Sequence, residues 1–228
     1  MTVEPVRIQL ATALVAAQCR GRVIFEFSLG PYGGYGRADV ADIQINTLDG
    51  YEIKTKTDSL KRLLRQAEAY SRVFDRCYAV VAPNHLKNTL TAVPDWWGVW
   101  VLGPQLELVR PGQVAPCGSG RLLMHILWKT EILMLLRQLG EKPDRNSTMS
   151  KLYQQLSPAL NFKYRPRRMD TTEDLHDLRA VVRWVLLRRQ NKPDVKLGQT
   201  VARWPEESAV LAPWPLRPEA AVPPRHAA

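Results

Sequence analysis

A mixed α/β layer with a smaller helical unit after it is the fold class this sequence predicts. Three observations predict it. A helical apolar pattern opens the chain, and strand-like runs fill residues 23–56. Helical and strand patterns then alternate to residue 102. Beyond residue 121 the apolar spacing is helical only.

Residues 6–17 read as the first helix. Val6, Leu10, Ala13, Leu14 and Ala17 form one stripe, and Ile8, Ala11 and Val15 a second, so cover on two sides is expected. Gly21 stops the helix. Val23–Phe27 is a short strand with Glu26 near its end, and Gly30–Gly36 is a loop by composition. Arg37–Ile45 and Tyr51–Lys56 read as a hairpin, with the turn expected at Asp49-Gly50. Thr57 or Asp58 can cap a helix running to Phe74, whose buried stripe is Leu60, Leu63, Leu64, Ala67 and Phe74. Cys77–Ala82 is a buried strand, Asn84–Thr91 a short helix and Trp97–Leu102 a further strand. The expected organisation is a core over 1–103, a Pro/Gly-rich linker over 104–121, a helical unit over 122–190 and a Pro-rich tail over 191–228 that looks poorly ordered. Within the helical unit, Leu122–Leu139, Thr148–Leu160 and Thr172–Arg189 are the expected helices, the last opened by Thr171-x-x-Asp174.

Composition narrows the function. The chain of 228 residues is 45% hydrophobic, enough for a core. Its net charge is +10 and its pI about 9.8. That excess favours an anionic partner, nucleic acid first and an acidic membrane surface second, although charge of this kind also merely keeps a protein soluble. No apolar run approaches the ~20 residues of a membrane span. The start, Thr2-Val3-Glu4-Pro5, lacks a basic-then-apolar signal. Cys19, Cys77 and Cys117 form no close pair, which points away from zinc and disulfides and toward reduced thiols in the cytoplasm.

The chemistry concentrates on the hairpin. Alternation puts Glu52 and Lys54 on one face and Tyr51 and Ile53 on the other. Asp39, on the partner strand, can come near that pair. Two close carboxylates suit a hard divalent cation, and a lysine beside them can stabilise charge developing on a phosphate. Water activated by a metal attacks near neutral pH, so phosphodiester hydrolysis is the matching reaction. On the following helix Gln66 and Tyr70 share a face with Arg62, away from the apolar stripe. A surface hairpin with scattered charges and a polar helix face would give the same letters. Lys163, Arg165, Arg167 and Arg168, with Tyr164, form a basic patch between two helices, and Arg183, Arg188 and Arg189 add charge to it. His85, His125, His176 and His226 are isolated, and the Trp96-Trp97 pair reads as core before it reads as a base-stacking platform.

The order Asp39 … Glu52-Ile53-Lys54 … Gln66-x-x-x-Tyr70 resembles the PD-(D/E)XK nuclease superfamily, in the branch with a Q-x-x-x-Y helix. Arg37-Ala-Asp-Val40, Asp58-Ser-Leu60 and Val93-Pro-Asp-Trp-Trp-Gly98 also resemble a small bacterial and phage family of that superfamily. The resemblance covers residues 22–102. It implies a restriction-endonuclease-like αβββαβ core with a C-terminal helical unit. It also implies Mg²⁺ or Mn²⁺ as cofactor, with Glu26, Asp39 and Glu52 as metal ligands. Asp39, Glu52, Lys54, Gln66 and Tyr70 would be the catalytic residues, and Ala38 stands where the superfamily has proline. The substrate would be nucleic acid, with DNA first, held by Arg37, Arg62, Lys163, Arg165, Arg167 and Arg168. A nucleic-acid-binding module without turnover and a protein-interaction scaffold are the competing readings. Repair, phage replication and defence are all open as the setting.

Overall fold

Val6, Leu10 and Leu14 recur every fourth residue of α1 (Val3–Ala17) and are buried together with Ala11. Ile8 stays 50% exposed and Ala13 is exposed, so α1 is covered on one side and not two. The computed structural model describes residues 3–17, 21–30, 36–160, 175–189 and 200–203. Residues 31–35 of the expected loop Gly30–Gly36, the start signal Thr171-x-x-Asp174 and most of the Pro-rich tail lie outside those residues.

β1 (Gly21–Ser28), β2 (Arg37–Gln44) and β3 (Leu48–Lys54) form an antiparallel meander. Val40 faces Tyr51 and Asp42 faces Asp49 across β2 and β3. The hairpin turn is not at Asp49-Gly50. It closes over 45–47, where the Gln44 N–H donates to the Thr47 carbonyl at 2.8 Å, and β3 already runs through Asp49 and Gly50. Gly50 is required for packing rather than turning: a Cβ there would lie 2.3 Å from the Phe74 ring.

A 3₁₀ turn (Leu60–Arg62) leads into α2 (Leu63–Val73). Its cap is Ser59, whose side chain accepts from the Lys61 N–H, and not Thr57 or Asp58. The Asp58 carboxylate is committed to Thr55 instead, accepting from its N–H at 2.7 Å and its hydroxyl at 2.6 Å. α2 crosses over to β4 (Arg76–Val81), parallel to β3, and α3 (Leu86–Ala92) crosses to β5 (Gly98–Val101), parallel to β4. β6 (Glu107–Arg110) extends that edge, within the stretch expected to be linker. β7 (Thr200–Arg203) pairs with β1 from within the expected tail. The sheet order is β6-β5-β4-β3-β2-β1-β7.

α1 covers one face of this sheet with Val23, Phe25, Val40, Tyr51, Ile53 and Val80. The other face carries α2 and the C-terminal helices α4 (Gly120–His125), α5 (Lys129–Gln138), α6 (Met149–Ala159) and α7 (His176–Arg188), in one continuous apolar cluster. The single helix expected over 122–139 is two. Trp128 is extended (ψ 155) and its N–H donates to the Glu131 carboxylate at 2.7 Å, which restarts the helix. Arg183 and Arg189 do not extend a basic surface as expected. Arg183 pairs with buried Asp75 at 3.0 Å and Arg189 with Glu131 at 2.7 Å, while the Arg188 guanidinium lies over the Trp184 ring. Trp97 is fully buried, as a core residue should be. Among the described residues no helix is long and apolar enough to cross a membrane.

The meander also carries a buried acid pair on its α1 side. Burial first, then Asp42, pushes the Asp49 carboxyl up from 3.8 to about 7, with Arg76 pulling the other way. A raised pKa means that the folded chain holds this proton more tightly than the unfolded chain. Its stabilising share is complete below pH 3.8 and is lost as pH rises through about 7. Asp49→Asn is therefore expected to match the parent at pH 4 and exceed it by roughly 2–4 kcal/mol at pH 8. Urea unfolding at the two pH values checks this; a gap that does not change with pH contradicts it.

Candidate active site

β2 and β3 bring Asp39 and the Glu52/Lys54 pair together, and α2 lies over them. Alternation along β3 works as expected: Tyr51 and Ile53 join the α1 cluster, and Glu52 and Lys54 face α2. Lys54 Nζ lies 2.6 Å from Glu52 Oε1, and both residues are buried. Gln66 binds both partners. Its amide nitrogen donates to Glu52 Oε1 at 2.6 Å, and its oxygen accepts from Lys54 Nζ at 3.1 Å. The Tyr70 hydroxyl donates to Glu52 Oε2 at 2.6 Å. Tyr70 differs from expectation in one respect: its ring is core, only 1% exposed and packed against Phe74 and Trp97. Only its hydroxyl serves the polar cluster, so the helix places it by packing as well as by face.

Asp39 Oδ2 accepts from the Ile53 N–H at 2.8 Å, which ties the acid to the strand carrying Glu52 and Lys54. Its Oδ1 accepts from Arg7 Nη2 at 2.8 Å. The same Nη2 pairs with Glu26 Oε1. Glu26 is the one described non-glycine residue with positive φ (51°), a left-handed conformation that costs ~1–3 kcal/mol. It interrupts the alternation of β1: Phe25 joins the α1 cluster and Phe27 the opposite one.

Burial first, and Asp39 next, raise the Glu52 carboxyl pKa, while Lys54 and Tyr70 lower it. Burial and Glu52 raise the Tyr70 hydroxyl well above its ordinary value, so it stays a donor. Burial and Asp39 thus oppose the charge on Glu52 while Lys54 offsets it, and the oxygens on offer to a metal are all hard carboxylate oxygens. That set fits Mg²⁺ or Mn²⁺, which is commonly held by one or two carboxylates together with water and phosphate oxygens. Asp39 and Glu52 supply the pair. Among the described residues no group of three His, Cys, Asp or Glu side chains is gathered to hold a metal. Glu26, the third expected ligand, is turned onto Arg7, with Arg37 Nη1 3.7 Å from its other oxygen.

Glu26, Asp39, Glu52, Lys54 and Gln66 line a cleft of about 620 Å³. Arg37 and Arg62 are on its wall, as the sequence suggested, and Arg65 and Arg72 join them. Asp58 also faces it. Burial opposes the charge on Asp58, but the two hydrogen bonds from Thr55 hold its carboxyl below the usual range. Lys163, Arg165, Arg167 and Arg168 lie outside the described residues. Sequence reasoning missed Arg7, Arg65 and Arg72. The two arginines of α2 fall at positions 65 and 72 beside Gln66 and Tyr70 and could have been found by extending that helix face. Arg7 had no local signal, because its partners are 19 and 32 residues away.

A family model described as bacteriophage P4 protein cII matches residues 10–173, a stretch that contains all of β1–β6 and α2–α6. No curated protein and no solved structure matches the chain.

Proposed function

The chain belongs to the bacteriophage P4 protein cII family, and we propose that it is a metal-dependent nuclease that hydrolyses phosphodiester bonds, with DNA as the first substrate to test. The reading includes a restriction-endonuclease-like αβββαβ core, which agrees with the order of α1 through β4. One observation carries it: a buried lysine, a buried glutamate, a glutamine and a tyrosine hydroxyl interlocked beside an aspartate, in a cleft walled by arginines.

Asp39 and Glu52 would hold Mg²⁺ or Mn²⁺. Bound there, the ion would acidify a water and offset negative charge at the phosphate. Lys54 is held with its ammonium on Glu52 and Gln66, where it would stabilise charge that grows on a phosphate oxygen. Gln66 and Tyr70 fix the Glu52 carboxylate, so its orientation is set before substrate arrives. Arg37, Arg62 and Arg65 offer cations to the flanking phosphates.

The second reading is a binding module on the same fold without turnover. The capture of Glu26 and Asp39 by Arg7 favours it, since both acids already have a cation. A cleavage panel separates the two. Single- and double-stranded DNA and RNA are incubated with Mg²⁺, with Mn²⁺ and with chelator. Cleavage that needs the metal supports the nuclease. Salt-sensitive binding without cleavage in any metal supports the module.

A further inference from the structure

Arg7 stands out because it is the cation on Glu26 and Asp39 and belongs to none of the strands that build the site. It reaches in from α1 with its side chain only 14% exposed. One nitrogen, Nη2, serves both Glu26 and Asp39. Its other terminal nitrogen, Nη1, lies 3.5 Å from Glu4 Oε2 on the same helix, and Glu4 is 58% exposed. Its Nε is buried without a hydrogen-bond partner. Arg7 therefore has an inner pair of acids and an outer one, and its inner hold is on the acids that the nuclease reading gives to a metal.

We propose that Arg7 is a built-in counterion that competes with the divalent metal for Asp39 and Glu26. This rests on the metal-dependent reading of the site and adds its regulation. Without metal, the guanidinium balances the two carboxylates and holds Glu26 in its left-handed conformation. Asp39 Oδ1 becomes available as a ligand only when Nη2 leaves it, and Glu4 is the partner that keeps the displaced guanidinium near α1. Glu52 needs no such release from Arg7, because its partners are Lys54, Gln66 and Tyr70. The apparent metal affinity is thus set by an exchange of one cation for another.

The test is direct Mn²⁺ binding to the full chain, followed by calorimetry and by the paramagnetic signal of free Mn²⁺, with no nucleic acid present. Arg7→Gln is expected to tighten Mn²⁺ binding at least tenfold, to lower the melting temperature in chelator and to enlarge the upward shift that Mn²⁺ produces. Should Arg7→Gln fold poorly, Glu4→Gln reads the same exchange from outside. Without its outer partner Arg7 stays on the inner acids, and Mn²⁺ binding is expected to weaken severalfold. Equal Mn²⁺ affinity in the parent and a folded variant overturns the counterion role while leaving the metal site standing. Absence of Mn²⁺ binding in every form overturns the metal reading, and the proposal with it.

Discussion

Lys54→Met is expected to lower metal-dependent cleavage by ~10²–10³-fold while the chain still folds. Methionine keeps most of the length of the side chain, one atom short, and removes the ammonium that pairs with Glu52. The effect on chemistry is large because the position is buried, where a fixed charge is screened little. The effect on stability is smaller and depends on pH. Lys54 lowers the Glu52 carboxyl pKa against burial and Asp39, so its removal lets that pKa rise further. A raised carboxyl pKa gives stability that is complete below the unfolded value and lost as pH rises through the folded one. The variant should therefore fall behind the parent more at pH 8 than at pH 5. Thermal melts at both pH values, beside single-turnover cleavage, check the two halves. Full cleavage by folded Lys54→Met would remove Lys54 from the mechanism. Parallel melts would mean that Lys54 does not govern the charge on Glu52.

Gln66→Ala extends the same reasoning one step outward. Gln66 holds Lys54 and Glu52 to each other, and neither loses its direct ion pair when it goes. Its loss costs orientation, and cleavage should fall by about tenfold, less than for Lys54→Met. Steady-state cleavage of the two variants side by side ranks them; an equal loss would mean that Gln66 does more than align its neighbours.

Period-two alternation put Glu52 and Lys54 on one face and helical spacing put Gln66 and Tyr70 on another, but it took the resemblance to join them with Asp39 into one cluster. Local chemistry determined it: each residue sits on a regular element, and the connection from β3 to α2 is short. The reading failed where a distant group competes with a local signal. Asp49-Gly50 is a strong turn pair by itself, but Phe74 fills the space that only a glycine leaves open, and the pair is drawn into β3. Leu64 fits the apolar stripe of α2 by spacing and is nonetheless 67% exposed. The helix begins at Leu63 after a 3₁₀ turn, which offsets the face expected from a helix capped at Thr57 or Asp58. Arg183 and Arg189 look like surface charge because their acids, Asp75 and Glu131, are far away in sequence. Long-range ion pairs leave no periodic trace.

Asp75 shows what such a pair does, and Asp75→Ala is expected to be strongly destabilising, at ~3–5 kcal/mol. The carboxylate is nearly buried between Arg179 at 2.6 Å and Arg183 at 3.0 Å. It also accepts from the Leu48 N–H at 2.8 Å, at the first residue of β3. Alanine would leave two guanidinium groups facing each other and a backbone donor unpaired in the core. The guanidinium groups keep some of their contacts, Arg179 with the Val73 carbonyl and Arg183 with the Ile45 carbonyl, so α7 is loosened rather than released. Asp75→Asn retains an acceptor for Leu48 and should lose less. Leu48 begins the strand that ends in Glu52 and Lys54, so this ion pair couples the C-terminal helices to the register of the site. Urea unfolding should show the loss for Asp75→Ala, with Asp75→Asn in between. Cleavage per folded molecule should stay near the parent value in the cold and collapse at a lower temperature than in the parent. A stable variant with a slow active site would instead place Asp75 in the chemistry.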